Sequence, residues 1–443
     1  MSASIHSRRG ILKLGLAAGV AAAAPVALGG RIAPAARAQE QVTLRFFHKW
    51  PEPEQIAFYQ GVIDAFQAEN PNIKVQMDAV GDEPYKDKIR ILMASGDVPD
   101  IYFSWAGEFA WKFARAGRAL DLTSAFNDTD WKDNVVNSAT EPYMWDGKLF
   151  GIPMRINAKF MAYSKAKFDE LGLSAPTTWD EFLAVCGAMK ESGLTPISFG
   201  NQFPWASSHY VGDFNAKLVA NDVRMADYRL EADADALFID PNYVEALSRF
   251  KSLNDEGYFN NSPNGISHDQ ARTAFIAGRS GMIYLELEEF VNLAESPMGQ
   301  DGFGFFQFPS GTGGAGDQKL ITGAPDGFMI SSATKYPEEA IAFLKYLTLP
   351  KNGKEYVKQL GIPSASVGAV TEENAIPQVV EGVNQIAAAS GLALWLDTDM
   401  NTKVVEAYLP GFQALLTGSK DPQGVMDDVH NAAVEAQTDQ SDQ

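Results

Sequence analysis

Two pairs of acids, Glu286/Glu288 and Asp397/Asp399, stand two residues apart. Paired carboxylates are what glycoside hydrolysis requires. On a strand an i, i+2 pair shares a face, but that spacing alone supplies no acid/base asymmetry. His48, His209, His268 and His430 are scattered with no paired spacing, so no metal site is assigned. The one cysteine, Cys186, sits among Phe182, Val185 and Met189 and reads as a buried small apolar group rather than a nucleophile. Alone, it excludes an intramolecular disulfide and a Cys-based metal site. No G-x-S-x-G elbow occurs, and no phosphate-binding or dinucleotide Gly pattern follows a strand. No cofactor is therefore expected. Eight tryptophans remain as flat binding surfaces.

The elements that must position these groups read as α/β. Val42–Phe47, Ile73–Met77 and Asp100–Phe103 are predicted strands. Gln55–Asn70, Tyr85–Ala94 and Glu108–Ala116 are predicted helices, with Ile56, Tyr59, Val62, Ile63 and Phe66 at helical spacing in the first. A β-α-β-α-β run makes a parallel sheet with right-handed crossovers. Ligands on such sheets bind beyond the carboxyl ends of the strands. The loops there hold His48–Glu54, Gly81–Glu83 and Ser104–Glu108, and so Trp50 and Trp105. Helices are then predicted at Trp179–Ser192, Pro241–Gly257, His268–Ala277, Glu338–Thr348, Gly353–Leu360, Val404–Leu416 and Pro422–Gln437. Gly304–Phe308 reads as a strand returning toward the first lobe, and Gly311–Asp317 as a flexible loop.

The 443 residues carry 36 Lys and Arg against 56 Asp and Glu, a net charge of −20. Such an acidic chain is a poor nucleic-acid partner, because phosphate contacts need clustered bases. With 46% hydrophobic residues it buries a large core, and its length calls for two lobes. The first 38 residues hold Arg8, Arg9, Lys13, Arg31 and Arg37 and no acid. Adjacent arginines, a mildly apolar Ala/Gly stretch and Ala36-Arg37-Ala38 read as a twin-arginine export signal cleaved after Ala38. A free periplasmic protein exported by the twin-arginine machinery is expected.

Several segments, in order, resemble one family. They are Gly96-Asp97-Val98-Pro99-Asp100-Ile101, Gly151-Ile152-Pro153, and Tyr163 to Leu173 with Pro176 to Phe182. Ala274 to Met282, Tyr336 to Leu347, and Leu416-Thr417-Gly418 with Asp421-Pro422 follow. Spread over residues 42–436, they resemble family 1 extracellular solute-binding proteins of ABC importers, to which maltose-binding protein belongs. The resemblance implies a two-lobed periplasmic binding protein fold (class II type), each lobe a sheet flanked by helices, with the ligand in the cleft between. Residues 39–153 and 309–361 would form one lobe. Residues 154–308 and 362–437 would form the other, leaving 438–443 as a disordered tail. The chain would cross between lobes near Pro153–Asn157, Phe308–Gly311 and Ile362–Ser364, and hinge closure would trap the ligand.

A sugar offers apolar faces and hydroxyls, so aromatic rings and carboxylates or amides should line such a cleft. By the resemblance, the first lobe would contribute His48, Trp50, Glu83, Ser104 and Trp105. Asn157, Asn201, Trp205, Trp395 and Asp397 would be contributed by the second. Relatives commonly carry Gly-x-Trp where this chain has Leu285-Glu286-Leu287-Glu288-Glu289, so Glu286 and Glu288 would replace a stacking ring. Asp326 lies where relatives often place Gly or an aromatic. Trp111, Trp131, Trp145 and Trp179 read as packing residues. The expected function is capture of a carbohydrate, an oligosaccharide in particular, by a monomer that delivers it to membrane permease subunits. A polyol or glycerol phosphate is the alternative ligand. With few bases (Lys49 and Arg155) beside many carboxylates, a neutral or cationic ligand is favoured. A secreted carbohydrate-active enzyme is the remote alternative.

Overall fold

The computed structural model describes residues 41–441 except Thr312. The expected export signal, residues 1–38, lies outside the described residues. The order of elements is alternating, as the apolar periodicity requires. Strand β1 (Val42–His48) precedes helix α1 (Pro53–Glu69), and β2 (Ile73–Ala79) precedes α2 (Asp82–Ser95). Strand β3 (Ile101–Trp105) leads into α3 (Glu108–Arg115). These three strands are parallel, in the order β2-β1-β3.

Two long strands join this unit to the rest. Strand β4 (Gly151–Ser164) is buried along most of its length, and β8 (Ile321–Ile330) is buried throughout. They run antiparallel to each other, and β8 also pairs antiparallel with β3. Beyond them lie β5 (Thr195–Ser198), β6 (Ser280–Glu286) and β7 (Phe303–Phe306). One hydrogen-bonded path runs β2-β1-β3-β8-β4-β6-β5, with β7 beside β4 and Leu392–Ala393 beside β8.

Helices cover this path on both sides of the long strands. They include α4 (Trp179–Glu191), α5 (Trp205–Leu218), α6 (Pro241–Asp255) and α7 (His268–Ile276). Later come α8 (Pro337–Leu347), α9 (Pro350–Leu360), α10 (Pro377–Ala388), α11 (Thr402–Thr417) and α12 (Pro422–Ser441). The last runs into residues expected as a disordered tail, held there in part by Lys403 on Asp439 at 2.7 Å. Among the described residues no helix is long and apolar enough to cross a membrane.

Two large cores result. One gathers Phe46, Tyr59, Ile101, Phe103, Ile152, Phe328 and Phe343. The other gathers Phe182, Phe214, Phe250, Phe308, Tyr408 and Phe412, with a smaller cluster around Phe160, Leu285 and Ile321 beside it. The core assignments change within β8: Ile321 packs in the small cluster, whereas Ala324 and Phe328–Ile330 pack in the first core. Phe308, at the start of the expected passage Phe308–Gly311, belongs to the second core. Likewise Phe303–Phe306 pairs with β4 at Met161–Ser164 rather than returning to the first core.

Strand β8 is hard to read from sequence because Gly323, Pro325 and Gly327 interrupt it. The structure explains the two glycines. A Cβ at Gly323 would lie 2.4 Å from the Asn157 carbonyl oxygen, and one at Gly327 2.2 Å from that of Ile152. Glycine is needed so that β4 can approach. The register shifts by a bulge between Asp326 and Gly327. Gly327→Ala is therefore expected to destabilise the protein by about 1–3 kcal/mol in chemical denaturation. Gly313→Ala is not a fair comparison because its backbone is left-handed. Gly61→Ala, with open space around its Cβ, should cost nothing.

Candidate functional site

The carboxyl ends of β1 and β3 and the start of α2 converge on a cavity of about 780 Å³. Its other wall comes from the start of α5, from α7, from the end of β6 and from the loop around Trp395. Lys49 and Trp50 follow β1 directly, and Trp105 ends β3. The placement follows from the parallel sheet, whose carboxyl ends open toward one side.

Four tryptophans, Trp50, Trp105, Trp205 and Trp395, line the cavity. Trp50, Trp105 and Trp395 are buried, and Trp205 is half-buried. Cations sit against several of the rings. The Arg155 guanidinium lies 4.5 Å from the Trp50 ring centre, and the Lys49 ammonium 4.6 Å from that of Trp105. The His209 ring packs at a tilt 4.4 Å from Trp395 and also lies 5.3 Å from Trp205. Residues four apart on a helix share a face, which is why Trp205 and His209 meet.

Each lysine and arginine of the wall already has a carboxylate. Lys49 donates to Asp82 at 2.9 Å, and Lys86 to Glu83 at 3.3 Å. Lys86 also stands 3.9 Å from Asp397, which links α2 to the loop after Trp395. Arg155 on β4 grips Asp326 on β8 through Nε and Nη2 at 2.9 and 2.7 Å. Its Nη1 reaches Glu288 at 2.5 Å. Arg272 on α7 holds Glu289 at 2.6 Å, and His268 shares that carboxylate at 2.8 Å. Behind the wall, buried Lys159 stands 3.8 Å from Glu286 and 3.9 Å from Glu289.

The neighbouring carboxylates Glu286, Glu288 and Glu289 titrate differently. Burial pushes Glu286 up to about 7, with Lys159 opposing. Burial also raises Glu288, opposed by Arg155. At Glu289 burial is outweighed by His268, Lys159 and Arg272, which hold it well below the usual carboxylate range. Asp397 is raised by burial against the pull of Lys86. Burial works against the Lys49 ammonium as well, yet Asp82 and Asp326 outweigh it and hold its pKa above the ordinary value.

The Glu286 shift has a stability consequence. Between pH 4.5 and about 7 the unfolded chain releases a proton that the folded one retains. The group's contribution is thus fully present below pH 4.5 and lost as pH rises through about 7. Glu286→Gln keeps the shape and removes that penalty. The melting temperature of the unliganded variant should exceed that of the wild type at pH 8, and the gap should vanish by pH 4.

Of the expected site residues, Trp50, Glu83, Trp105, Trp205, Glu286, Glu288, Asp326, Trp395 and Asp397 line the cavity together. Four others lie behind its walls. His48 is fully buried, its Nδ1 accepting the Trp50 N–H at 3.3 Å, and burial lowers its pKa to about 3. Side chains alternate along a strand, so His48 turns into the first core while the loop beyond it turns out. Ser104 is buried and donates to the Trp105 carbonyl at 2.8 Å. Asn157 is spent on Glu286, donating at 2.5 Å. Asn201 donates to Asn264 at 2.7 Å and accepts from Ser207 at 2.6 Å, tying loops of the second core together.

Neither acid pair shares a strand face. Glu286 ends β6, and Leu287–Glu289 is a 3-10 turn whose Leu287 is buried. Asp397 and Asp399 sit on the short helix Leu396–Asp399, where residues two apart diverge. Asp397 accepts from Ser208 at 3.2 Å, whereas Asp399 pairs with Arg229 at 2.9 Å. Sequence reasoning missed Lys86, His209, His268 and Arg272. The i, i+4 spacing of Asp82 and Lys86 was a readable signal for the first.

These features, a two-lobed α/β fold with an aromatic- and carboxylate-lined cavity between its walls, are those of a solute-binding protein. Residues 50–354 match the sequence model of the bacterial extracellular solute-binding proteins, and the chain belongs to that family. The multiple sugar-binding protein of Streptococcus mutans is 26% identical over 375 residues, covering 82% of this chain and 84% of the relative. Among solved structures, a chitin oligosaccharide binding protein is similar with a TM-score of 0.82 at 24% identity. The match covers 90% of this chain and 99% of that one. The solute-binding protein RafE in complex with raffinose gives 0.72 at 24% identity, covering 90% and 100%. At these identities the structural likenesses establish the fold.

Proposed function

We propose that this protein captures an oligosaccharide between its lobes and delivers it to the permease subunits of an ABC importer. The observation that carries the reading is the cavity itself: four tryptophans around about 780 Å³, interleaved with carboxylates. Flat rings suit the C–H faces of a sugar, and carboxylates suit its hydroxyls. The relatives that bind sugars, the Streptococcus mutans protein and the raffinose and chitin-oligosaccharide receptors, support it. We take the hinge to be β4 and β8 with Ile362–Ser364. A ligand that contacts both walls then favours closure, since it gains contacts only in the closed state. Export through the twin-arginine route, cleavage after Ala38, a periplasmic location and a monomeric state complete the proposal.

A phosphorylated ligand is disfavoured because Lys49, Lys86, Arg155 and Arg272 already serve carboxylates. Hydrolysis is disfavoured because Glu288 is committed to Arg155 and Glu289 to Arg272 and His268. The test is a thermal-shift panel of mono- and oligosaccharides, polyols, glycerol phosphates and amino acids. A ligand that binds only the folded state raises the melting temperature. The reading expects a rise with one carbohydrate class and an intact sugar recovered afterwards. A rise confined to phosphorylated compounds, or a cleaved sugar, would sink it.

A further inference from the structure

The cavity wall is short of free lysine and arginine charge and rich in acids. Arg155 spends all three nitrogens of its fork on Asp326 and Glu288. Lys49, Lys86 and Arg272 are likewise engaged. Acids lining the cavity far outnumber these four cations: Glu52, Glu54, Glu83, Glu286, Glu295 and Asp397 are only part of the set. Two acceptors of the wall are under-used. Asp326 is 3% exposed, and its Oδ1 has no hydrogen-bond partner among the described residues. Glu286 accepts from Asn157 through Oε2, and its nearest cation, Lys159, stays 3.8 Å from Oε1. Arg155 already demonstrates that the Trp50 face accepts a positive group.

A neutral sugar would add hydroxyls, each donor and acceptor at once, and leave the negative surplus uncompensated. A protonated amine supplies donors only and one positive charge. We propose that the ligand of this cavity carries such an amine, as an amino sugar or an oligosaccharide containing one, with its ammonium held against Glu286 and Asp326. This rests on the carbohydrate reading above and narrows it.

The experiment compares matched pairs on the whole protein by calorimetry: glucose with glucosamine, galactose with galactosamine, and cellobiose with the glucosamine disaccharide. In at least one pair the amine should bind roughly tenfold tighter, the effect of one net ion pair. That preference should shrink at about 0.5 M salt, because it is electrostatic. In Glu286→Gln the amine-to-neutral ratio should fall toward one. The wild-type salt series stands on its own should the variant misfold. If sugars bind but no amine exceeds its neutral partner, this inference is overturned and the carbohydrate reading survives. If no member of any pair binds while a non-carbohydrate does, both fall.

Discussion

Arg155→Met is expected to lower the stability of the unliganded protein by about 3–5 kcal/mol. Arg155 is 2% exposed and lies at the junction of β4, β8 and the turn after β6. It neutralises Asp326, itself 3% exposed, and Glu288. Methionine would fill much of the volume but leave Glu288 without its counterion and Asp326 with Lys49 alone, 4.0 Å away. The loss therefore reports uncompensated buried charge rather than lost packing. Chemical denaturation measures it. Adding Asp326→Asn to Arg155→Met should recover part of the loss, since the two groups form one network. Arg155→Lys should not rescue fully, because an ammonium cannot reproduce the guanidinium fork that spans both acids. A loss under about 1 kcal/mol for Arg155→Met would contradict this account of the junction.

Trp205→Ala should weaken carbohydrate binding by about 2 kcal/mol, roughly thirtyfold in Kd. Trp205 is the first residue of α5 and lines the cavity half-buried, between His209 and His268. Its backbone position at a helix start and its ring neighbours fix the indole before any ligand arrives. A rigid, partly dry ring loses little freedom on binding, which is what makes such a residue a dominant contact. Trp111→Ala is the comparison. Trp111 does not line the cavity; it packs against Trp145 and under Arg229, whose guanidinium is 4.3 Å from its ring centre. Its loss should leave the Kd unchanged. Equal weakening by both variants would show that Trp205 acts through folding and not through contact.

The parallel β1–β3 unit was legible because each strand is a short apolar run followed by an amphipathic helix. Trp50 and Trp105 could be placed for the same reason: both lie where parallel strands end. Less legible was β8, where Gly323, Pro325 and Gly327 mimic a loop although all ten residues are buried. Those residues answer to the close approach of β4, a tertiary demand that no local pattern carries. His48 shows the same limit at single-residue scale. One step along a strand separates a core-facing ring from cleft-facing Lys49 and Trp50, and apolar patterning does not fix that step where Phe46, Phe47 and His48 are all buried. Asn157 and Asn201 had the right chemistry and the right neighbourhood. They are consumed by hydrogen bonds to Glu286 and Asn264, partners 129 and 63 residues away. The pairs Lys86–Asp397, Arg155–Asp326 and Arg272–Glu289 were equally hidden, since each joins separate elements.

The most direct test of the central claim is a calorimetric titration of the purified protein with the carbohydrate giving the largest thermal shift. The account predicts saturable one-to-one binding whose heat is lost or sharply reduced in Trp205→Ala, with the sugar recovered unchanged. Saturable binding of a non-carbohydrate in place of any sugar, or sugar binding indifferent to Trp205, would contradict it.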